Sequence, residues 1–159
     1  MHIKEEFAKW TTGYSGCDGG DIGSPASPST WVCGIEWGGD YISYNWLKEE
    51  LERQADCDPF GGYDTEKANT DYRYNVNATK SLAAINGLQV SEYKKFSTDI
   101  KPFFKGQKGY FKMNLFPLPF KNTSAERWKI WINELTGLST KHEYVEWCRN
   151  NRFRFLENH

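Results

Sequence analysis

The chain has no apolar run near the roughly 20 residues that a helix needs to cross a bilayer, so no membrane partner is expected. It has no Cys-x-x-Cys pair: Cys17, Cys33, Cys57 and Cys148 are scattered, and no histidine is paired closely with them. Neither a zinc centre nor a redox motif follows from that spacing, and the reading is of free thiols with no metal and no cofactor. An excess of one charge is missing too, since 20 Lys and Arg face 21 Asp and Glu for a formal net charge of −1. A globally basic nucleic-acid footprint is excluded, and any such contact has to come from a local patch. The opening Met1-His-Ile-Lys-Glu-Glu lacks the basic start and apolar stretch of a signal peptide, which points to a cytoplasmic protein. Histidine is limited to His2, His142 and His159.

Aromatic residues, by contrast, are plentiful: seven Trp, nine Tyr and ten Phe in 159 residues. They supply core area first and ligand-stacking surface second. The length suits a single domain over residues 1–159 with a real core. Helical spacing predicts a short helix over Ile3 to Trp10 and another from Trp46 to about Cys57, capped by Ser43 or Asn45 and carrying Leu47, Leu51 and Ala55 inward. A Gly-, Ser- and Pro-rich segment from Thr12 to Ser29 reads as a connector, and a polar stretch runs from Asp58 to Asn75. Asn77 is expected to cap a helix ending at Gly87, and Ser91 one that carries Tyr93, Phe96 and Ile100. Thr123 or Ser124 begins a helix with Trp128, Trp131, Ile132 and Leu135 on one stripe, stopped by Gly137. Thr140 and Glu143 make a capping-box pattern for a last helix that turns Tyr144, Val145, Cys148, Phe155 and Leu156 to the core. Arg149, Arg152 and Arg154 read as a solvated face of that helix, and Cys33 as a small core hydrophobe.

Two short runs stand out, Trp31-Val-Cys-Gly-Ile-Glu36 and Gly109-Tyr-Phe-Lys-Met-Asn114-Leu-Phe116. Each begins as a buried strand and carries a strong hydrogen-bonding side chain at its C-terminal end. Joined by a helical crossover, the two strands are expected to be parallel within a three-layer α/β/α architecture with a short sheet. Ligands of open α/β sheets sit outside the carboxyl ends of the strands, so Glu36 and Asn114 are the first candidates for a site. Two strands alone make a poor sheet, so either a further short strand or a chain that continues past His159 is expected.

In order along the chain, Gly34-Ile-Glu-Trp-Gly38, Tyr110-Phe-Lys-Met-Asn-Leu-Phe-Pro117 and the helix from Glu143 to Leu156 resemble the N-terminal half of the uracil-DNA glycosylase superfamily. The resemblance implies nucleobase recognition and hydrolysis of the N-glycosidic bond in DNA, with DNA or another nucleobase-containing ligand as partner. On it, Glu36 is the catalytic carboxylate near the sugar, Asn114 reads the base edge, and Trp37 and Gly38 lie against the base. Tyr74, in Tyr72-Arg-Tyr74, would add an aromatic wall. The family's proline is replaced by Trp37, and its second catalytic motif, a histidine, has no counterpart. A non-catalytic nucleic-acid- or nucleotide-binding module of the same fold is therefore the alternative reading.

Overall fold

The computed structural model describes residues 2–36, 42–53, 71–120 and 128–158. Its strands are β1 (Cys17–Gly20), β2 (Thr30–Glu36) and β3 (Tyr110–Phe116), which form one mixed sheet in the order β1-β3-β2. Asn114 N–H donates to Gly16 O at 2.8 Å and Asp21 N–H to Tyr110 O at 2.8 Å, so β1 and β3 run antiparallel. Thr30 N–H donates to Gly109 O at 2.8 Å, which aligns the starts of β2 and β3 as a parallel pair, as expected.

Strand β1 departs from expectation. It lies within the segment that reads as a connector, and its sequence Cys17-Asp-Gly-Gly20 offers no apolar alternation. Pairing with β3 holds it in place, and it needs glycine: Gly20 sits at φ +110, and a Cβ there would run into the Tyr110 carbonyl.

The chain divides into two compact units. The first comprises Met1–Cys17, Ile35–Cys57 and Asn114–His159. It contains α1 (Glu5–Thr11), α2 (Tyr44–Arg53), α5 (Ile130–Thr136) and a last helix made of α6 (Lys141–Trp147), a π-helical turn (Cys148–Arg152) and α7 (Phe153–Glu157). Ser43 Oγ accepts the Trp46 N–H at 3.2 Å, which starts α2 and turns Leu47 and Leu51 inward. Gly137, at φ +79, ends α5 where the sequence places the stop, and a Cβ there would run into His2 O. Thr140 Oγ1 accepts the Glu143 N–H at 3.1 Å, but the Glu143 carboxylate reaches Ser139 N–H at 2.6 Å, one residue before the expected partner. Phe7, Leu118, Phe120, Ile132, Leu138 and Tyr144 form the core, each apolar side chain contributing about 2 kcal/mol. Trp128, Trp131 and Leu135 pack half-buried against it.

The second unit comprises Asp18–Gly34 and Asp58–Met113. It holds α3 (Arg73–Ile85), a 3-10 turn (Val90–Glu92) and α4 (Tyr93–Ile100). Helix α3 begins four residues before the expected Asn77 cap. Its buried stripe starts at Asn75 and continues through Ala78, Thr79, Leu82 and Ala83, and Thr79 Oγ1 donates to Asn75 O at 2.7 Å. Phe96 is buried as expected, but Ile100 is exposed at the end of its helix. Cys33 is also a correction: it is exposed, because it lies on edge strand β2, on the side that leaves Ile35 65% exposed. Among the described residues no helix is long and apolar enough to cross a membrane.

Candidate functional site

Side chains alternate across a strand, so Glu36 shares the side of Val32 on β2, and Asn114 shares the side of Tyr110 on β3. Val32 and Tyr110 pack in one cluster, which places Glu36 and Asn114 on the same face of the sheet, toward the C-terminal ends of the parallel pair. In the register set by the Thr30–Gly109 bond, Glu36 lies alongside Phe116, two residues beyond Asn114.

Glu36 is engaged by Lys141, whose Nζ lies 3.3 Å from Oε1 and 3.2 Å from Oε2. The two side chains are only 10% and 7% exposed, and the ammonium stands 4.3 Å from the centre of the Phe120 ring. Lys141 is the first residue of α6, where the helix dipole disfavours a cation. The Glu36 carboxylate is what offsets that cost.

Asn114 is 6% exposed, and its Nδ2 donates to Gly16 O at 3.3 Å. Its Oδ1 accepts no hydrogen bond among the described residues. The carboxamide therefore keeps an acceptor that no described group uses, beside a partly used donor.

Arg152 departs furthest from expectation. It is not solvated but 0% exposed. Its Nε donates to Leu115 O at 2.8 Å, Nη2 to Asn114 O at 2.9 Å and Ser15 O at 2.6 Å, and Nη1 to Thr11 O at 2.7 Å. Nη1 also reaches Gly13 O at 3.1 Å and Ser15 Oγ at 3.0 Å. Arg152 follows buried Cys148 by one turn, so the inward face of the last helix carries it into the fold, while Arg149 is exposed. Nearby, burial lifts the Tyr144 hydroxyl well above its ordinary pKa, while that oxygen accepts the Leu118 N–H at 2.9 Å. Burial also pushes the Cys148 thiol up to about 12, so it is inert.

Tyr74 belongs to the other unit. Its ring lies 4.8 Å from Lys112 Nζ, and its hydroxyl is 3.3 Å from Val32 O. Lys112 is ion-paired with Asp18. Trp37 and Gly38 lie outside the described residues. A groove of about 310 Å³ is lined by Lys4, Lys48, Glu52, Glu134 and Leu135 among others, and neither Glu36 nor Asn114 borders it. The reading of free thiols is corrected at Cys17, which is disulfide-bonded, whereas Cys33 and Cys148 are not in disulfides.

No family model, no curated protein and no solved structure matches this chain.

Proposed function

We propose that the chain recognises a nucleobase, as a nucleic-acid- or nucleotide-binding module of the uracil-DNA glycosylase-like kind, with Asn114 as the base-reading side chain. The observation that carries the reading is Oδ1 of Asn114, an acceptor that no described donor uses, on the central strand at the end where parallel strands present ligands. A carboxamide in that state offers acceptor and donor to a base edge without first breaking a strong internal bond. Glu36 supports binding over hydrolysis, because both its oxygens face Lys141 and little of its surface is open to an attacking water. The Cys17 disulfide favours an oxidising compartment over the cytoplasm expected from the N-terminus.

The test is tryptophan fluorescence with nucleoside monophosphates and with uracil- and hypoxanthine-containing oligonucleotides, alongside an assay of free base. Binding is expected, weakening with salt for the oligonucleotides, about tenfold weaker in Asn114→Ala, and without base release. Failure of every nucleoside and oligonucleotide to bind overturns the reading. Base excision is the second reading, favoured by the shared sheet face of Glu36 and Asn114. It requires base release by the wild type and its loss in Glu36→Gln.

A further inference from the structure

We infer that Arg152 is the positioning residue for the Asn114 carboxamide, which rests on Asn114 being the base-reading group. Asn114 is held at two points, and Arg152 governs both. The first is its own backbone: the guanidinium takes Asn114 O through Nη2 and the next carbonyl, Leu115 O, through Nε. This fixes the peptide from which the side chain springs. The second is the acceptor that orients the carboxamide. Gly16 O receives both the Asn114 backbone N–H at 2.8 Å and its Nδ2 at 3.3 Å. The residues leading into Gly16 are tied to the same guanidinium through Thr11 O, Gly13 O, Ser15 O and Ser15 Oγ.

Gly16 has φ +71, and a Cβ there would meet Pro117 Cα at 2.9 Å, so a side chain is excluded at the residue whose carbonyl takes both bonds. A planar fork that donates along both edges can bridge strand β3 and the residues 11–15 at once, whereas an ammonium is a point donor that cannot span them. Charged donors to carbonyls make strong bonds in a buried setting. The fork springs from a π-turn, a feature often found where a helix serves a site. Recognition of a base edge requires placement to within about 0.5 Å, which a loosely held carboxamide does not achieve.

The experiment uses the full chain with Arg152→Lys, and Ser15→Ala as the milder variant that removes one acceptor. Two readouts separate positioning from a purely structural role. Without ligand, the Asn114 Nδ2 protons are followed by NMR. With ligand, affinity is compared for uridine 5′-monophosphate and its N3-methyl derivative, whose base edge is blocked. The expected result for Arg152→Lys is about tenfold faster exchange of the Asn114 side-chain protons and about a tenfold loss of discrimination, with about threefold effects for Ser15→Ala. A purely structural arginine lowers the folded fraction and leaves the discrimination ratio of the folded molecules unchanged, which overturns the inference. Unmoved Asn114 side-chain signals in the variants overturn it without reference to any ligand. If Arg152→Lys does not fold, Ser15→Ala is measured by both readouts, and the same results uphold or overturn the inference. Perturbed Asn114 signals in a protein whose wild type binds neither nucleotide uphold the positioning by Arg152 and refute the nucleobase reading instead.

Discussion

The molecule builds one arrangement twice: a lysine inside the fold, an ion-paired carboxylate, and an aromatic ring beneath the ammonium. In one unit Lys141 pairs with Glu36 above Phe120, linking the end of a strand to the start of a helix. In the other, Lys112 pairs with Asp18 above Tyr74, across the antiparallel ladder of β1 and β3. Nothing in the sequence marks Asp18 as catalytic, yet its surroundings match those of Glu36 in kind. A carboxylate partner thus keeps a lysine indoors at both places, and the ion pair does not by itself mark Glu36 as a catalyst. The difference lies in exposure: Asp18 is 24% open to solvent, against 10% for Glu36. Where a carboxylate is better buried, its pairing matters more to the fold, because a lone buried charge is poorly compensated.

That contrast sets the scale of the mutational effects. Lys141→Met leaves Glu36 charged and enclosed, and denaturant unfolding is expected to show a loss of about 3 kcal/mol, most of it regained in the Glu36→Leu/Lys141→Met double variant. Lys112→Met leaves Asp18 partly hydrated, and about 2 kcal/mol is expected by the same measurement. Equal losses would erase the distinction between the two pairs. A third carboxylate involves no lysine partner in its main contacts. Asp21 accepts the Gly109 N–H through Oδ2 and the Gly23 N–H through Oδ1, both at 2.9 Å, and these bonds hold its pKa below the usual value. Asp21→Ala should cost about 1–2 kcal/mol. Because folding lowers this pKa, the stabilisation is complete above an unfolded value of about 4 and disappears as pH falls through the lower folded value. Unfolding of wild type and Asp21→Ala should therefore converge in acid. The smallest effect concerns thiols: a charged aromatic disulfide reagent should label Cys33 in the native protein and reach Cys148 only on unfolding.

What the sequence reveals depends on whether a residue's role is local. Gly137, Ser43 and Thr140 act on backbone within a turn of themselves, and their helix ends lie where the sequence puts them. The parallel pairing of β2 and β3 also follows from the apolar runs and the crossover between them. Strand β1 is hidden because Cys17-Asp-Gly-Gly20 owes its extended form to β3 and to Asp21, not to its own propensity. Cys33 reads as core on composition, but the exposed side of an edge strand is decided by what packs there. Arg152 reads as solvated on its charge, although the helical period sets it one turn after Cys148, and what satisfies it is a set of carbonyls from distant parts of the chain. Of the candidate site, Glu36 and Asn114 are legible as polar ends of apolar runs, while Lys141 and Arg152 come from distant parts of the chain.

The π-turn at Cys148–Arg152 has one more consequence. Such a turn is an α-helix with an inserted residue, and Asn151 Nδ2 donates at 3.0 Å to Trp147 O, the carbonyl that a plain α-turn would bond to the Asn151 backbone. Deleting Asn150 would close the bulge into an ordinary helix and keep Phe153 against Phe116 and Phe155 against Tyr14. Deleting a residue from Lys141–Glu143 would instead swing Tyr144 and everything after it by about 100° relative to the start of the helix. The helix can shorten by one residue at its bulge, and nowhere before it, without changing which side chains face inward.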